Sequence, residues 1–208
     1  MGKKITRRQA LFAVSSALLL PVACSQSVAR FSQSSVIFSH GVASGDPDQS
    51  SVVIWTRVSE IGDAVDVDWT MASDSDFLDV VVRGRYSTDG ARDHTVKIVV
   101  DNLDPGQEYY YQFAAKGSTS PTGRTRTLPV GHVEQLVLAV ATCSNYPFGY
   151  FNAYEVIAND PSIDLVVHLG DYIYEYDENG FGGEAGKRIG RIHEPRHEIV
   201  SLDDYRRR

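Results

Sequence analysis

Cysteine is almost absent: the 208 residues contain two, Cys24 and Cys143, too few for a disulfide framework. An excess of basic residues is missing as well. Lysine and arginine number 20 against 27 aspartates and glutamates, a formal charge of −7, which excludes wholesale binding to nucleic-acid phosphates through basic patches. The apolar run from Ala10 to Ala23, about 14 residues broken by Ser15, Ser16 and Pro21, is too short to span a bilayer. What is present is 42% hydrophobic, 23% charged and 10% aromatic residues. That profile excludes a disordered chain, a collagen-like repeat and a disulfide-stapled miniprotein. The length allows one large domain or two small ones, each able to bury a core.

The charge is unevenly spread. Residues 1–24 hold Lys3, Lys4, Arg7 and Arg8 and no acid, leaving 16 basic and 27 acidic side chains, or −11, for the remainder. A basic start followed by a short apolar run reads as a secretory signal. Arg7 and Arg8 stand directly before that run, as in twin-arginine export signals, which implies the twin-arginine machinery as a partner. Leu20-Pro21-Val22-Ala23-Cys24 fits a lipoprotein cleavage site with Cys24 lipidated; ordinary cleavage between Ala23 and Ala29 is the alternative. The expected location is secreted, periplasmic or cell-envelope, with membrane contact only through the signal or a lipid on Cys24. Residues 1–29 are read as export signal and linker.

Residues 30–130 alternate short β-branched runs with Gly, Pro and Asp punctuation. Ser51–Thr56, Val65–Thr70 and Thr95–Val100 are predicted strands, with turns at Asp46-Pro47-Asp48 and at 101–106. Strands at this spacing suggest an antiparallel sandwich of fibronectin-III or immunoglobulin type. In Leu103-Asp104-Pro105-Gly106-Gln107-Glu108-Tyr109, the tyrosine just after the corner can bond back to the turn, and Tyr109, Tyr111 and Phe113 share one strand face. His40 and His94 stand alone and read as solvated or structural. Trp55 and Trp69 read as core or interface residues.

The pattern changes after Pro129. Leu136–Ala141 is continuously apolar, as expected of a strand buried on both faces. Asn145 is placed to cap a helix with Pro147 in its first turn, and Phe151, Tyr154, Ile157 and Ala158 recur at helical spacing until Asp160-Pro161. Ile163–Leu169 makes a second buried strand, with His168 inside it in a core role. Such a β-α-β unit puts both strand ends on one edge, where open α/β sheets bind ligands. At those ends lie Cys143, Asp171 and, three residues on, Tyr174. A thiolate, a carboxylate and a phenolate together suit a highly charged metal ion, because a phenol of ordinary pKa about 10 needs strong positive charge to ionise near neutrality. From spacing alone the alternative stays open that Cys143 is a small buried hydrophobe.

Longer motifs add to this. Gly41-Val42-Ala43-Ser44-Gly45-Asp46-Pro47 with Val53-Ile54-Trp55-Thr56-Arg57, Ala141-Thr142-Cys143-Ser144, and His168-Leu169-Gly170-Asp171-Tyr172-Ile173-Tyr174-Glu175-Tyr176 resemble the alkaline phosphatase D family. Arg191-Ile192-His193 through Ser201–Arg206 resembles the stretch before that family's later motifs. The resemblance implies a β-sandwich followed by a calcineurin-like metallophosphatase domain that hydrolyses phosphate mono- and diesters with iron (Fe3+) and calcium. By motif, Cys143 and Tyr174 correspond to iron ligands and Asp171 to the bridge between iron and calcium, with no catalytic residue assigned beyond them. Thiolate and phenolate suit iron, and carboxylate suits calcium. Ordinary metallophosphatases carry an Asp-x-His after the first strand; none stands here, as the resemblance leads one to expect.

No Gly-Asn-His or Gly-His-x-His follows Asp171, so residues 131–208 read as an incomplete metallophosphatase domain and the chain alone as a truncated, inactive piece. The competing reading is a non-catalytic secreted sandwich for binding or adhesion with an α/β remnant. Asp177–Gly190, with five glycines, reads as a flexible surface excursion, and the terminal arginines as the exposed end of an interrupted helix.

Overall fold

The computed structural model of the chain describes residues 36–59, 62 and 64–208. The expected export signal and Cys24 lie outside them. A 3-10 turn at Val36–Phe38 leads into β1 (Val42–Gly45), β2 (Val52–Arg57), β3 (Val65–Ala72), β4 (Val80–Thr88), β5 (Thr95–Val100), β6 (Glu108–Ala115), β7 (Ser118–Thr119) and β8 (Gly123–Arg126). Then come β9 (Leu138–Ala141), α1 (Asn152–Asn159), β10 (Leu165–His168), α2 (Gly183–Ile189) and α3 (Leu202–Arg207). The fold is mainly β with a smaller α/β part.

Alternation explains the sandwich. In β2 and β6 every second residue is buried, so Val52, Ile54 and Thr56 face inward from one and Tyr109, Tyr111 and Phe113 from the other. One antiparallel sheet has the order β1-β2-β5; the other runs β4-β3-β6, with β7 and β8 both pairing with β6. Val52, Ile54, Val96 and Val100 of the first sheet meet Val65, Val67, Met71, Tyr111 and Phe113 of the second in one core. Burial of Phe113 alone stabilises by about 1.5–3 kcal/mol. The expected tyrosine corner is present: the Asp104 backbone N–H donates to Tyr109 Oη at 2.9 Å.

Two glycines make room for aromatic rings directly across the sheet. Gly84 pairs with Trp69 and Gly123 with Tyr111. A Cβ on Gly84 would sit 2.7 Å from the Trp69 ring, and one on Gly123 only 2.2 Å from Tyr111 Cζ. Trp69 is half-buried against the core, whereas Tyr111 is wholly enclosed.

The α/β part departs from expectation in several places. β9 and β10 do pair in parallel, Leu138 opposite Leu165 through Ala141 opposite His168. They are not buried on both faces: Leu138 is 48% and Val140 60% exposed. A two-stranded sheet with one short helix has too few neighbours to cover both of its sides. The helix begins later than expected. Tyr146–Phe148 is an isolated 3-10 turn, Asn145 makes no capping bond with its side chain, and α1 starts at Asn152 after Phe151 adopts a left-handed backbone (φ 58°). The glycine-rich stretch is not a plain loop, because α2 lies within it. Gly183 and Gly186 are buried where a Cβ would come within 2.2 Å of Glu178 O and 2.4 Å of Arg191 O. Glycine there permits backbone to approach backbone. The terminal arginines do more than end a helix. α3 carries a capping box between Ser201 and Asp204, and Arg208 bonds the carbonyls of Tyr174, Tyr176, Glu194 and Pro195.

Polar contacts join the two parts on both flanks. From β8, Arg126 pairs with Asp164 at 3.4 Å and Arg124 donates to Pro161 O at 3.2 Å. From α3, Arg206 pairs with Asp93 at 2.5 Å. No described helix is long and apolar enough to cross a membrane.

Candidate metal centre

The parallel pairing of β9 and β10 extends past the strand ends and draws the two following loops together. Leu169 N–H donates to Ala141 O at 2.9 Å, Cys143 N–H to Gly170 O at 3.2 Å, and Ser144 N–H to Asp171 O at 2.8 Å. Gly170 turns the chain at φ 110°, and the residues that follow each loop's start, Cys143 (φ 61°) and Asp171 (φ 50°), adopt the left-handed region. This backbone costs a residue such as Cys143 roughly 1–2 kcal/mol, whereas aspartate visits it more readily. It turns both side chains toward a common point.

There the three sequence-derived candidates meet. Cys143 Sγ lies 3.6 Å from Asp171 Oδ2, and Tyr174 Oη donates to the same carboxylate oxygen at 3.0 Å. Cys143 and Asp171 are exposed and Tyr174 half-buried, so the cluster opens to solvent. Contact with Cys143, then burial and the Asp171 carboxylate, push the Tyr174 phenol well above its ordinary pKa. A phenol placed beside a thiol and a carboxylate in this way is held in its protonated form, and a multivalent cation among the three would reverse that effect. Soft thiolate beside hard carboxylate and phenolate thus fits a metal ion in its chemistry. Counting only His, Cys, Asp and Glu, the described residues contain no group of three placed to hold one; the third donor here is a tyrosine.

Sequence reasoning missed much of what surrounds the trio. His168 is half-buried at the end of β10, and its Nε2 lies 3.0 Å from Ser144 Oγ and 2.9 Å from Tyr154 Oη. Arg191 lies over the Tyr146 ring at 3.8 Å and over Tyr150 at 4.8 Å, pinning the segment after Cys143. His40 is not isolated: Arg57 Nη1 approaches its Nε2 at 3.1 Å and Ser59 Oγ its Nδ1 at 3.0 Å. A cavity of about 670 Å³ borders Tyr174, with Arg57, Arg206, Arg207 and Arg208 on its wall against a single acid, Asp93.

Comparison with known proteins bears on this geometry. The family model described as "PhoD-like phosphatase, N-terminal domain" matches residues 23–129, half of the chain, and the one described as "PhoD-like phosphatase" matches residues 138–208. The chain belongs to the PhoD-like phosphatase family. It is 40% identical to alkaline phosphatase D of Bacillus subtilis (strain 168) across 84% of this chain and 31% of that protein. It also superposes on a solved structure of PhoD with a TM-score of 0.75 and 39% identity, covering 83% of this chain and 34% of that one. The chain thus spans about a third of the length of the PhoD-like relatives it matches, and all three candidate donors fall within the second matched stretch.

Proposed function

We propose that this chain contributes the sandwich and part of the metal centre of an exported phosphoesterase of the alkaline phosphatase D type, acting on phosphate mono- and diesters. One observation carries the proposal: a thiol, a carboxylate and a phenol from two adjacent strand-end loops converge within hydrogen-bond distance. Cys143 and Tyr174 are the iron donors in this reading, and Asp171 has the second oxygen needed to face calcium. Bound there, the cations would polarise phosphoryl oxygens, acidify a water and offset charge on the leaving oxygen. The chain's own residues fix the donors, through the bonds from Cys143 and Ser144 to the Gly170 and Asp171 carbonyls. On the neighbouring cavity wall Arg206 and Arg207 are paired with Asp93 and Glu194, and Arg57 and Arg208 supply the charge sign that attracts a phosphate ester to an otherwise acidic protein.

Residues 30–130 are the sandwich domain in this proposal and 131–208 part of the metallophosphatase domain. Arg7 and Arg8 before the apolar run support export by the twin-arginine route, which carries folded cargo and suits a protein loaded with metal beforehand. A purely binding or adhesive module has no use for the three-donor cluster. Ferric titration of the chain tests the assignment. A phenolate-to-iron band in the visible is expected in the wild type and absent in Tyr174→Phe. Equal colour in the two proteins removes Tyr174 from the ligand set.

A further inference from the structure

We propose that His168 is a positioning residue for the metal centre, holding the Cys143 and Asp171 loops together through one imidazole tautomer protonated on Nε2. The inference rests on the reading of Cys143, Asp171 and Tyr174 as donors. Gly170 N–H donates to His168 Nδ1 at 3.3 Å, so that nitrogen carries no proton. The neutral ring then bears its proton on Nε2, which faces two oxygens that can accept it, Ser144 Oγ at 3.0 Å and Tyr154 Oη at 2.9 Å. The two hydroxyls also bond to each other, closing a triangle. Tyr172, the residue after Asp171, packs edge-on to the ring at 5.2 Å.

One ring therefore touches four separate pieces of the site. Ser144 follows Cys143 directly, and Tyr154 anchors the ring to α1. Gly170 and Tyr172 flank Asp171. The gripped Gly170 in turn accepts from Cys143 N–H at 3.2 Å and from the Thr142 hydroxyl at 3.3 Å. Two exposed donor residues in left-handed backbone keep that conformation only where their surroundings over-determine it. His168 supplies that constraint from beneath. Neither ring nitrogen is free to act on a substrate, so its part is to position.

Long-range proton–nitrogen spectra of the metal-free chain should show His168 as the Nε2–H tautomer. His168→Ala should speed alkylation of Cys143, followed by peptide mass, and weaken ferric binding about 10–100-fold, the usual penalty for losing an outer-shell partner. His168→Asn, which retains an acceptor near the Nδ1 position, should recover part of both. An Nδ1–H tautomer, or a His168→Ala chain with wild-type thiol reactivity and ferric affinity, overturns the role. If His168→Ala does not fold, Ser144→Ala combined with Tyr154→Phe strips the ring of both oxygens. Unchanged Cys143 reactivity and ferric affinity in that protein overturn the role equally. The donor assignment fails separately: a wild-type chain that forms no coloured ferric complex sinks it, whereas a coloured wild type with an equally tight His168→Ala sinks only the positioning role.

Discussion

Replacing Gly123 with alanine adds a single carbon against a ring that has nowhere to go. The new Cβ would stand 2.2 Å from Tyr111 Cζ, 2.5 Å from Cε1 and 2.6 Å from Oη. Ordinary carbon contacts lie at about 3.5–4.0 Å, so ring or strand must move by more than about 1 Å. The ring resists because Tyr111 is 1% exposed and lies edge-on to Phe113 at 6.0 Å. Overpacking of this kind costs about 1–3 kcal/mol, which for a protein of this size lowers the melting temperature by roughly 2–12 °C. Gly84→Ala meets Trp69 at 2.7 Å, but that ring is half-buried and can swing outward, so a smaller loss is expected. At Gly45 a Cβ meets nothing within 4 Å, and alanine there should stay within about 0.5 kcal/mol of wild type. Urea denaturation followed by circular dichroism ranks the three. If Gly123→Ala proves as stable as Gly45→Ala, the ring is not pinned and the account of this core is wrong.

Two further outcomes are expected. Tyr109→Phe keeps the ring packing but leaves Asp104 N–H without its acceptor, so the urea midpoint should fall by an amount equivalent to about 0.5–1.5 kcal/mol; an unchanged midpoint denies the corner bond any stabilising part. His193 is 1% exposed, and burial, followed by the nearby Arg208, holds its pKa below the ordinary value, with Asp177 opposing. The unfolded chain then takes up the proton first, so His193 contributes stability that is present above about pH 6.5 and lost as pH falls through the depressed folded value. Midpoints measured above and below that pH should therefore diverge less in His193→Gln than in wild type, and parallel profiles would count against the assignment.

How much could be read in advance depended on how local each cause is. The corner at 103–109 was legible because its hydrogen bond joins residues five apart. The alternation in β2 and β6 reports burial directly, since one sheet covers the other. β4 passed unnoticed. Arg83, Gly84 and Arg85 interrupt its apolar pattern, and the ring that covers Gly84 comes from Trp69, a residue on another strand. The apolar runs around β9 and β10 gave the strands but not their exposure, because side-chain type does not say what lies on top. The signals at Asn145 and Pro147 suggested one helix, but the chain breaks after Phe148 and restarts beyond Phe151. Glycine content at 177–190 suggested a loop, whereas Gly183 and Gly186 serve backbone packing that only the fold brings about. The meeting of Cys143, Asp171 and Tyr174 was legible from motif. The His168 triangle was not, since Ser144, Tyr154 and Gly170 converge on one ring only after the two loops pair.

The left-handed backbone at Cys143 and Asp171 has an evolutionary corollary. Glycine relaxes that conformation at either position, so the substitutions that remove the thiol or the carboxylate also relieve the chain. If the two side chains hold metal as proposed, robustness and metal retention pull in opposite directions there. A lineage freed from that chemistry would then drift toward sturdier, colourless descendants, with the sandwich intact and the loop ends gone quiet.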